Sequence, residues 1–231
     1  MRRIWGSDKQ LGYRGKLTLA AAAGAPLALG LREAGSHDLV VPIDRCLLQS
    51  EAANEVLRAC QQALGAAGLQ PYDPAGDEGD VRAVVVRGAA DASGLERFLV
   101  DVWVRRPRRD AVADAGRRML AELGGERLAG VVMPTVRGRH ASSKPSAPPD
   151  VVLGDGTLAV GLSGLAFDVS ARSFFQVNPQ QAERLCQAVK DAAALTGDEV
   201  VLDLVRHGPR WRRAGWGDYA RVCSERLLTL R

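Results

Sequence analysis

The sequence predicts an α+β domain followed by the start of an α/β unit, and two observations lead to this fold class. Paired strand-like segments and two amphipathic helical patterns make up the first half. In the second half, the order strand, turn, helix, strand is the entry to an α/β unit. The chain has 231 residues, 46% of them hydrophobic, which is enough apolar material for a sizeable core. We therefore expect a globular protein of one large or two small domains.

The first predicted elements are a strand pair and a helix. Residues 15–21 and 26–33 are strand-like and flank a Gly-Ala-Pro turn, so they predict a hairpin. A helix is predicted from Ser50, its N-cap, to Leu64, with glycines following as stops. Its apolar residues recur at helical spacing, namely Ala53, Val56, Leu57, Cys60 and Leu64.

A second hairpin and a second helix follow. Residues 81–88 and 97–105 predict paired strands, 109–123 an amphipathic helix that ends at a Gly-Gly pair, and 128–136 another strand. The stretch RRPRR at 105–109 could contact phosphates. We favour the simpler interpretation, a charged connection between a strand and a helix.

The second half begins with RGRHASSKPSAPPD, residues 137–150, whose prolines, serines and basic residues predict a linker or loop. Short strands are predicted at 157–162, 165–170 and 173–177. Pro179 then opens a helix with Asn178 as N-cap, and a strand follows at 200–204. The predicted organisation is a central α+β domain over 1–136, the linker over 137–150, connecting strands and the first elements of a second domain over 151–204, and a tail over 205–231.

Charge and cysteine content exclude some classes of protein. The net charge is +4, but residues 205–231 hold seven arginines against two acids, so the rest of the chain carries −1. The overall charge therefore does not identify a partner. No apolar run approaches the roughly 20 residues of a membrane span, so we expect a cytoplasmic protein without a membrane partner. The cysteines are widely spaced and predict free thiols, at Cys46, Cys60, Cys186 and Cys223.

Several segments together carry a family resemblance. SFFQVNPQQAERL (173–185), followed about fifteen residues later by VVLDL (200–204), resembles the entry to the methyltransferase domain of the S-adenosylmethionine-dependent RNA uridine C5-methyltransferases. YRGKLTLA (13–20) resembles that family's Y-R-N-K segment, and SHDLVVPIDRCLLQ (36–49) resembles its S-H-x-I-V-D-I-x-x-C-P-L segment. The resemblance extends from about Gly12 to Leu204, and its specificity lies in the order of the segments.

This resemblance implies a fold, a cofactor and a partner. The fold is a central α+β domain followed by the start of a Rossmann-like class I methyltransferase domain, which is incomplete here. The cofactor is S-adenosyl-L-methionine, and the partner is ribosomal or transfer RNA. Gln176 matches the family glutamine that contacts the methyl donor near the target base, where an amide can both donate and accept. Asp203 lies at a strand end where acidic residues face the cofactor.

The family's glycine-rich turn is missing after Leu204, where Val-Arg-His-Gly stands at 205–208. Such a turn brings the backbone and a helix N-terminus close to a nucleotide-like ligand. Codons for these residues, read one base later, can encode Cys-Gly-Thr-Gly, with a further glycine three places on. We therefore expect a frameshift near Leu204, with residues 205–231 translated out of frame. The alternative is a divergent native C-terminus.

The resemblance also implies a nucleophilic cysteine and a base downstream of the glycine turn. Cys223 lies in no segment that matches a family motif, so no catalytic residue is assigned, and we expect the 231-residue chain to be inactive. One alternative is a noncatalytic RNA-binding remnant that uses residues 137–144 and the arginine-rich tail. Another is a folded native C-terminus with an unrelated function.

Two further residues of the resembling segments are expected to be structural. Cys46 matches the last ligand of an iron–sulfur cluster in those members that hold one, but a cluster normally needs four thiolates and no cysteine precedes Tyr13. We therefore expect a buried thiol and no cluster. His37 has no acidic or cysteine partner in the sequence pattern.

Overall fold

The computed structural model describes residues 4–22, 26–36, 39–91, 93–140, 143–194 and 196. His37, the predicted strand at 200–204 and the tail lie outside this set. The elements, in chain order, are β1 (Lys16–Ala22), β2 (Ala28–Arg32), β3 (Val40–Pro42), α1 (Glu51–Ala66), β4 (Val81–Ala90), β5 (Glu96–Val104), α2 (Arg109–Leu123), β6 (Leu128–Met133), β7 (Asp150–Gly154), β8 (Thr157–Leu162), β9 (Leu165–Ser170) and α3 (Pro179–Ala193).

A seven-stranded sheet with the order β3-β2-β1-β4-β5-β6-β7 dominates the described residues. Its pairs are antiparallel except for β5 and β6, which are parallel because α2 carries the chain back between them. β8 and β9 form a separate antiparallel hairpin. The mixed α and β character predicted from the sequence is confirmed.

The sheet separates two hydrophobic clusters. Helices α1 and α2 cover one face, where alternate residues of β1 such as Leu17 and Leu19 are buried with the apolar faces of both helices. The β8–β9 hairpin covers part of the other face, and its inward residues Leu158 and Val160 pack with Leu99 of β5. β4 and β5 are consequently buried on both sides, and β4 is buried at seven consecutive positions.

Helix caps follow the sequence pattern. The Ser50 hydroxyl accepts a hydrogen bond from the Ala53 N–H at 3.2 Å, and the Asn178 side chain accepts one from the Gln181 N–H at 3.2 Å. Each side chain satisfies a backbone donor that a helix N-terminus leaves without an intrahelical partner. α2 has the predicted bounds, and α1 continues two residues beyond the predicted end to Ala66.

Both predicted hairpins are confirmed, but three segments differ from expectation. Residues 173–177 were predicted as a strand and form none. Their flanks are fixed instead by a turn, in which the Ser173 N–H donates to the Ser170 carbonyl, and by the hydrogen bond from the Gly15 N–H to the Val177 carbonyl. β3 and β7 were not predicted. Both are short edge strands, of three and five residues, so an alternating pattern has little length in which to show.

β7 packs against a glycine. It starts at Asp150, the last residue of the predicted linker, and joins the sheet beside β6. An added Cβ at Gly130 of β6 would lie 2.0 Å from the Asp155 carbonyl oxygen, so the chain just after β7 approaches the backbone of β6 too closely for any side chain. β7 belongs to the seven-stranded sheet. The domain boundary near residue 150 stays a prediction.

Gly130→Ala is expected to destabilise the protein by about 2 kcal/mol or more, because the new methyl group must displace backbone at the β6–β7 edge. The matched control is Gly65→Ala in α1, where nothing lies within 4 Å of the added Cβ. That change should stabilise by roughly 0.5–1 kcal/mol through helix propensity. Urea unfolding of both variants measures the difference, and equal unfolding midpoints would contradict the packing described for β7.

Candidate functional site

The three resembling segments, which are far apart in the sequence, contact one another in the structure. The Arg14 N–H of the Y-R-G-K segment donates to the Leu48 carbonyl of the C-L-L-Q segment at 2.9 Å. The neighbouring Gly15 N–H donates to the Val177 carbonyl of the Q-V-N-P segment at 2.7 Å. Arg14 and Gly15, just before β1, therefore hold the other two segments through backbone hydrogen bonds. Such bonds depend on the backbone geometry and not on side-chain identity.

Gln176 lies in the irregular segment between β9 and α3. Its neighbour Phe175 is buried in the second hydrophobic cluster, with its ring centroid 6.0 Å from that of Phe167. Gln176 itself is half-buried, and its amide forms no hydrogen bond to any described residue. The donors and the acceptor of this amide are thus not used by the described residues. Asp203, the other predicted cofactor residue, lies outside the described residues, as do Cys223 and the arginine-rich tail.

A cluster of three charges lies beside this segment, on the face of the sheet that carries the β8–β9 hairpin; Arg87 and Asp101 are buried, and Lys16 is half-buried. Lys16 of β1 and Arg87 of β4 are direct cross-strand partners, and Asp101 of β5 lies diagonally from Arg87. The Asp101 carboxylate accepts a hydrogen bond from the Trp103 indole N–H at 2.9 Å. Like charges directly opposite in a sheet destabilise it, so this arrangement is costly for folding.

Burial shifts the pKa of each member of the cluster in the direction that favours the neutral form, upward for the acid and downward for the bases. It raises the pKa of Asp101 to about 6, against the opposing effect of the Trp103 hydrogen bond and the nearby cations. Burial, with a further contribution from Arg87, lowers the pKa of Lys16 to about 8. Burial also lowers the pKa of Arg87 to about 10. Groups with such shifts are candidates for a functional role as well as for structural strain.

A basic cavity of about 380 Å³ lies further along the same face of the sheet. Small residues form its floor, Trp103 forms a wall, and Arg32 and Lys144 are exposed cations at its rim. An aromatic wall with cations around it suits a planar base joined to a phosphate, because the ring can stack and the cations can neutralise the charge. The floor consists of Thr18, Ala20, Gly30 and Ala83.

The residues predicted as a linker are held against this face by a buried arginine. Arg82 of β4 is 7% exposed, and its guanidinium donates to the carbonyl oxygens of three consecutive residues, 138–140. The guanidinium also lies over the Tyr72 ring, 4.4 Å from the centroid, in cation–π geometry. Arg137 and Arg139 of this segment stay exposed. The backbone is therefore fixed while basic side chains face solvent.

The stretch at 105–109 forms intramolecular ion pairs, in agreement with the interpretation as a charged connection. Arg105 donates to both Asp77 carboxylate oxygens, at 2.7 and 3.1 Å, and Arg108 lies 3.4 Å from Asp80. The hydrogen bonds from Arg105 and Tyr72 hold the pKa of Asp77 well below its usual range. Arg105 and Arg108 are thus paired with carboxylates of the fold.

The described cysteines are buried free thiols, Cys46 among them. Cys46 is fixed by Asn54, whose side chain accepts from its N–H at 2.8 Å and donates to its carbonyl at 3.2 Å. Burial raises the pKa of the Cys60 thiol to about 12. Within the described residues, no group of three or more His, Cys, Asp or Glu side chains is arranged to hold a metal ion.

The sequence analysis did not identify Arg82, Arg87 or Asp101 as candidate site residues. A usable signal was present, because each is a charge inside an otherwise apolar strand, in VRAVVVRG and FLVDVWV. A buried charge is rarely tolerated without a partner, so such positions indicate a built contact. Lys16 carried no comparable signal, since it stands at the start of its strand.

Sequence comparison identifies relatives over most of this chain, although no family model matches it. An uncharacterised RNA methyltransferase of Listeria monocytogenes is 28% identical over 207 residues, which cover 86% of this chain and 42% of the relative. One from Bacillus cereus is 28% identical over 213 residues, covering 88% and 43% respectively. A second Listeria monocytogenes RNA methyltransferase is 32% identical over 182 residues, covering 75% and 36%. The chain thus spans about two-fifths of the length of these relatives.

Structure comparison supports the same class. The crystal structure of Pyrococcus abyssi tRNA (uracil-54, C5)-methyltransferase in complex with S-adenosyl-L-homocysteine matches with a TM-score of 0.62 and 19% identity, over 80% of this chain and 42% of that one. The described residues therefore have a fold found in part of a methyltransferase. The sequence relatives are named RNA methyltransferases, so the resemblance to RNA methyltransferases that the motifs predicted is confirmed. No helix among the described residues has the length and apolar character needed to span a membrane.

The pKa of Asp101 predicts a distinctive dependence of stability on pH. Because its pKa rises from an ordinary 3.8 to about 6 on folding, ionisation costs more in the folded state than in the unfolded one. The free energy of unfolding should therefore fall between about pH 4 and pH 6, by up to about 3 kcal/mol. Asp101→Asn should remove this fall. The free energy of unfolding of the variant, measured by urea titration, should therefore rise relative to that of the unsubstituted protein between about pH 4 and pH 6.

The matched control is Asp114→Asn on the surface of α2. A hydrogen bond from Arg118 lowers the pKa of Asp114, so its contribution has the opposite sign and is lost as the pH falls below about 4. Parallel stability curves for Asp101→Asn and the unsubstituted protein between pH 4 and 6 would contradict the burial described for Asp101.

Proposed function

We propose that this chain is part of an S-adenosyl-L-methionine-dependent enzyme that methylates C5 of uracil in ribosomal or transfer RNA. The observation that carries the proposal is that three family-like segments, far apart in the sequence, contact one another around Gly15. The curated relatives are named RNA methyltransferases, and the structural neighbour acts on a tRNA uracil. Specificity for uracil C5 rests on the motifs and on that neighbour.

Gln176 fits a role at the donor site. Its half-buried amide makes no hydrogen bond to the described residues and is fixed in position by the buried Phe175 beside it. The bound donor would supply an electrophilic methyl group, and Gln176 would bind and orient polar groups beside it. We propose the same role for Asp203 on sequence grounds. Together they would form one side of the donor site, with a glycine turn expected to form the other.

The basic cavity provides a contact surface for RNA. Its exposed cations, Arg32 and Lys144, lie beside Trp103 on the face opposite the helices, whereas Asp101, the acid of the neighbouring cluster, is buried. RNA-binding proteins commonly combine a basic surface with an aromatic side chain on which a base stacks. An RNA substrate of this kind would place the protein in the cytoplasm.

We propose further that the 231-residue chain does not complete methyl transfer by itself. Val205 and Arg206 carry side chains where the family's glycine turn requires close backbone approach to the donor. No cysteine of the chain stands in a segment that matches the family's nucleophile motif. The nucleophile must add to C6 of uracil before C5 can accept the methyl group.

A noncatalytic RNA-binding role is the second candidate, and the 137–140 segment favours it. The exposed Arg137 and Arg139 lie on a backbone that Arg82 holds in place, and the Arg139 Nε lies 4.0 Å from the Asp77 carboxylate. The segment thus presents basic side chains without the full entropic cost of ordering a loop. This candidate requires RNA affinity but no donor binding.

Removing the rim cations should weaken RNA binding. Arg32→Ala with Lys144→Ala should lower the affinity for a uracil-containing stem-loop about tenfold and reduce the slope of log affinity against log salt by about one to two. The control is Arg117→Ala, an exposed arginine of α2 on the opposite face of the sheet. Fluorescence anisotropy measures the binding. An equal loss of affinity in the control variant would contradict the assignment of this face of the sheet as the RNA contact surface.

Methyl transfer can be tested at the level of both gene and protein. Sequencing around codon 204 should reveal the glycine turn and a cysteine motif in the adjacent frame, and uninterrupted coding without them would exclude the frameshift. The 231-residue chain should release no tritium from RNA labelled at uracil C5. The protein expressed with the register restored should release it and yield 5-methyluridine, detectable by mass spectrometry. A restored protein that methylates another base would contradict uracil C5 as the target.

A further inference from the structure

Arg87 connects the central sheet to the segment that carries Gln176. Its side chain is 4% exposed, and its Nη2 donates to the Ser173 carbonyl oxygen at 2.6 Å. The other end of the same segment is tied by the Gly15 N–H, which donates to the Val177 carbonyl at 2.7 Å. The two anchors lie side by side in the fold, because Gly15 immediately precedes β1, Arg87 lies in β4, and these two strands are paired. The five residues 173–177 are thus held at both ends by the sheet.

These two anchors fix an irregular segment that has no strand ladder of its own. Between them, Phe175 is buried in the cluster beneath the β8–β9 hairpin, and Gln176 is left half-buried with its amide unused by the described residues. Two backbone anchors and one buried ring leave little freedom for the residue between Phe175 and Val177. The position of Gln176 is therefore set by the sheet and not by local secondary structure.

Arg87 is a poor choice for stability alone. Its direct cross-strand neighbour is Lys16, a second cation, and its Nε has no hydrogen-bond partner among the described residues. Among the described residues, Asp101 is the carboxylate that acts on it electrostatically. An apolar side chain of similar length would avoid the cost of burying the charge and the repulsion from Lys16. What an apolar residue cannot supply is the bond to the Ser173 carbonyl.

We propose that Arg87 is a positioning residue, which holds the 173–177 segment so that Gln176 is presented to the methyl donor and the target base. The identity of these two ligands rests on the proposed function. That Arg87 holds the 173–177 segment does not depend on the proposed function. Arg87 itself contacts neither ligand in this assignment and acts only through the Ser173 carbonyl.

The test compares Arg87→Met and Arg87→Lys in the full chain. Amide hydrogen exchange, followed by mass spectrometry on peptides covering 173–177, should be about tenfold faster in Arg87→Met and close to the unsubstituted rate in Arg87→Lys, which retains a donor. Exchange in β1, β4 and β5 should not change. The control is Arg97→Met, which also removes an arginine-to-carbonyl hydrogen bond, at Glu126, and should leave 173–177 unaltered.

Three results would overturn the proposal. Unchanged exchange at 173–177 in Arg87→Met would show that Arg87 does not hold the segment. Faster exchange throughout the sheet, with a lowered unfolding midpoint, would show a merely structural role. Faster exchange in Arg97→Met as well would show that the segment responds to any loss of an arginine. Should Arg87→Met fail to fold, Arg87→Gln provides the same comparison, since its shorter polar side chain cannot reach Ser173.

A ligand readout separates this proposal from the proposed function. With S-adenosyl-L-homocysteine as probe in the register-restored protein, Arg87→Met and Gln176→Ala should each weaken binding about tenfold, and the double variant should be no weaker than either. Additive losses would overturn the positioning role. If the restored protein binds no S-adenosyl-L-homocysteine at all, the proposed function fails, while the exchange experiment still decides whether Arg87 holds the segment.

Discussion

The two-sided burial of the central strands is the constraint on which the rest of this structure depends. Helices α1 and α2 cover one face of β4 and β5, while the β8–β9 hairpin and residues 138–140 lie over the other. A charged side chain of β4 or β5 that is buried on the second face loses contact with water and needs a partner inside the protein. Arg82 and Arg87 find theirs in backbone carbonyls of irregular segments.

Guanidinium groups therefore hold these segments in place of a regular hydrogen-bond ladder, and two of them, those of Arg82 and Arg87, are buried. Arg82 holds residues 138–140, Arg87 holds Ser173, and Arg172 donates to the carbonyls of Pro145 and Ala147. A guanidinium is suited to this because its planar fork offers several donors and can bond to more than one carbonyl. The segments so held include the one with Gln176 and the one that presents exposed arginines.

The elements predicted correctly were those whose signal is local. Ser50 and Asn178 are N-caps because their side chains satisfy nearby backbone donors, and the hairpin turns lie between alternating strands. The prediction of a strand for SFFQV was wrong. Aromatic and β-branched residues favour a strand, but they do not supply a neighbouring strand to pair with. β3 and β7 were missed because strands of three and five residues are too short to show an alternating pattern.

The sequence by itself determined the class of fold, the helix bounds to within two residues, the family and the candidate role of Gln176, since all of these follow from local periodicity or from motif order. Only the tertiary structure decided that the three motif segments meet at Gly15, and that Arg87, Lys16 and Asp101 share one buried site. Strand register and sheet order decide which distant residues become neighbours. Neither is written in the pattern of any single segment, because each is fixed by how the whole chain buries both faces of one sheet.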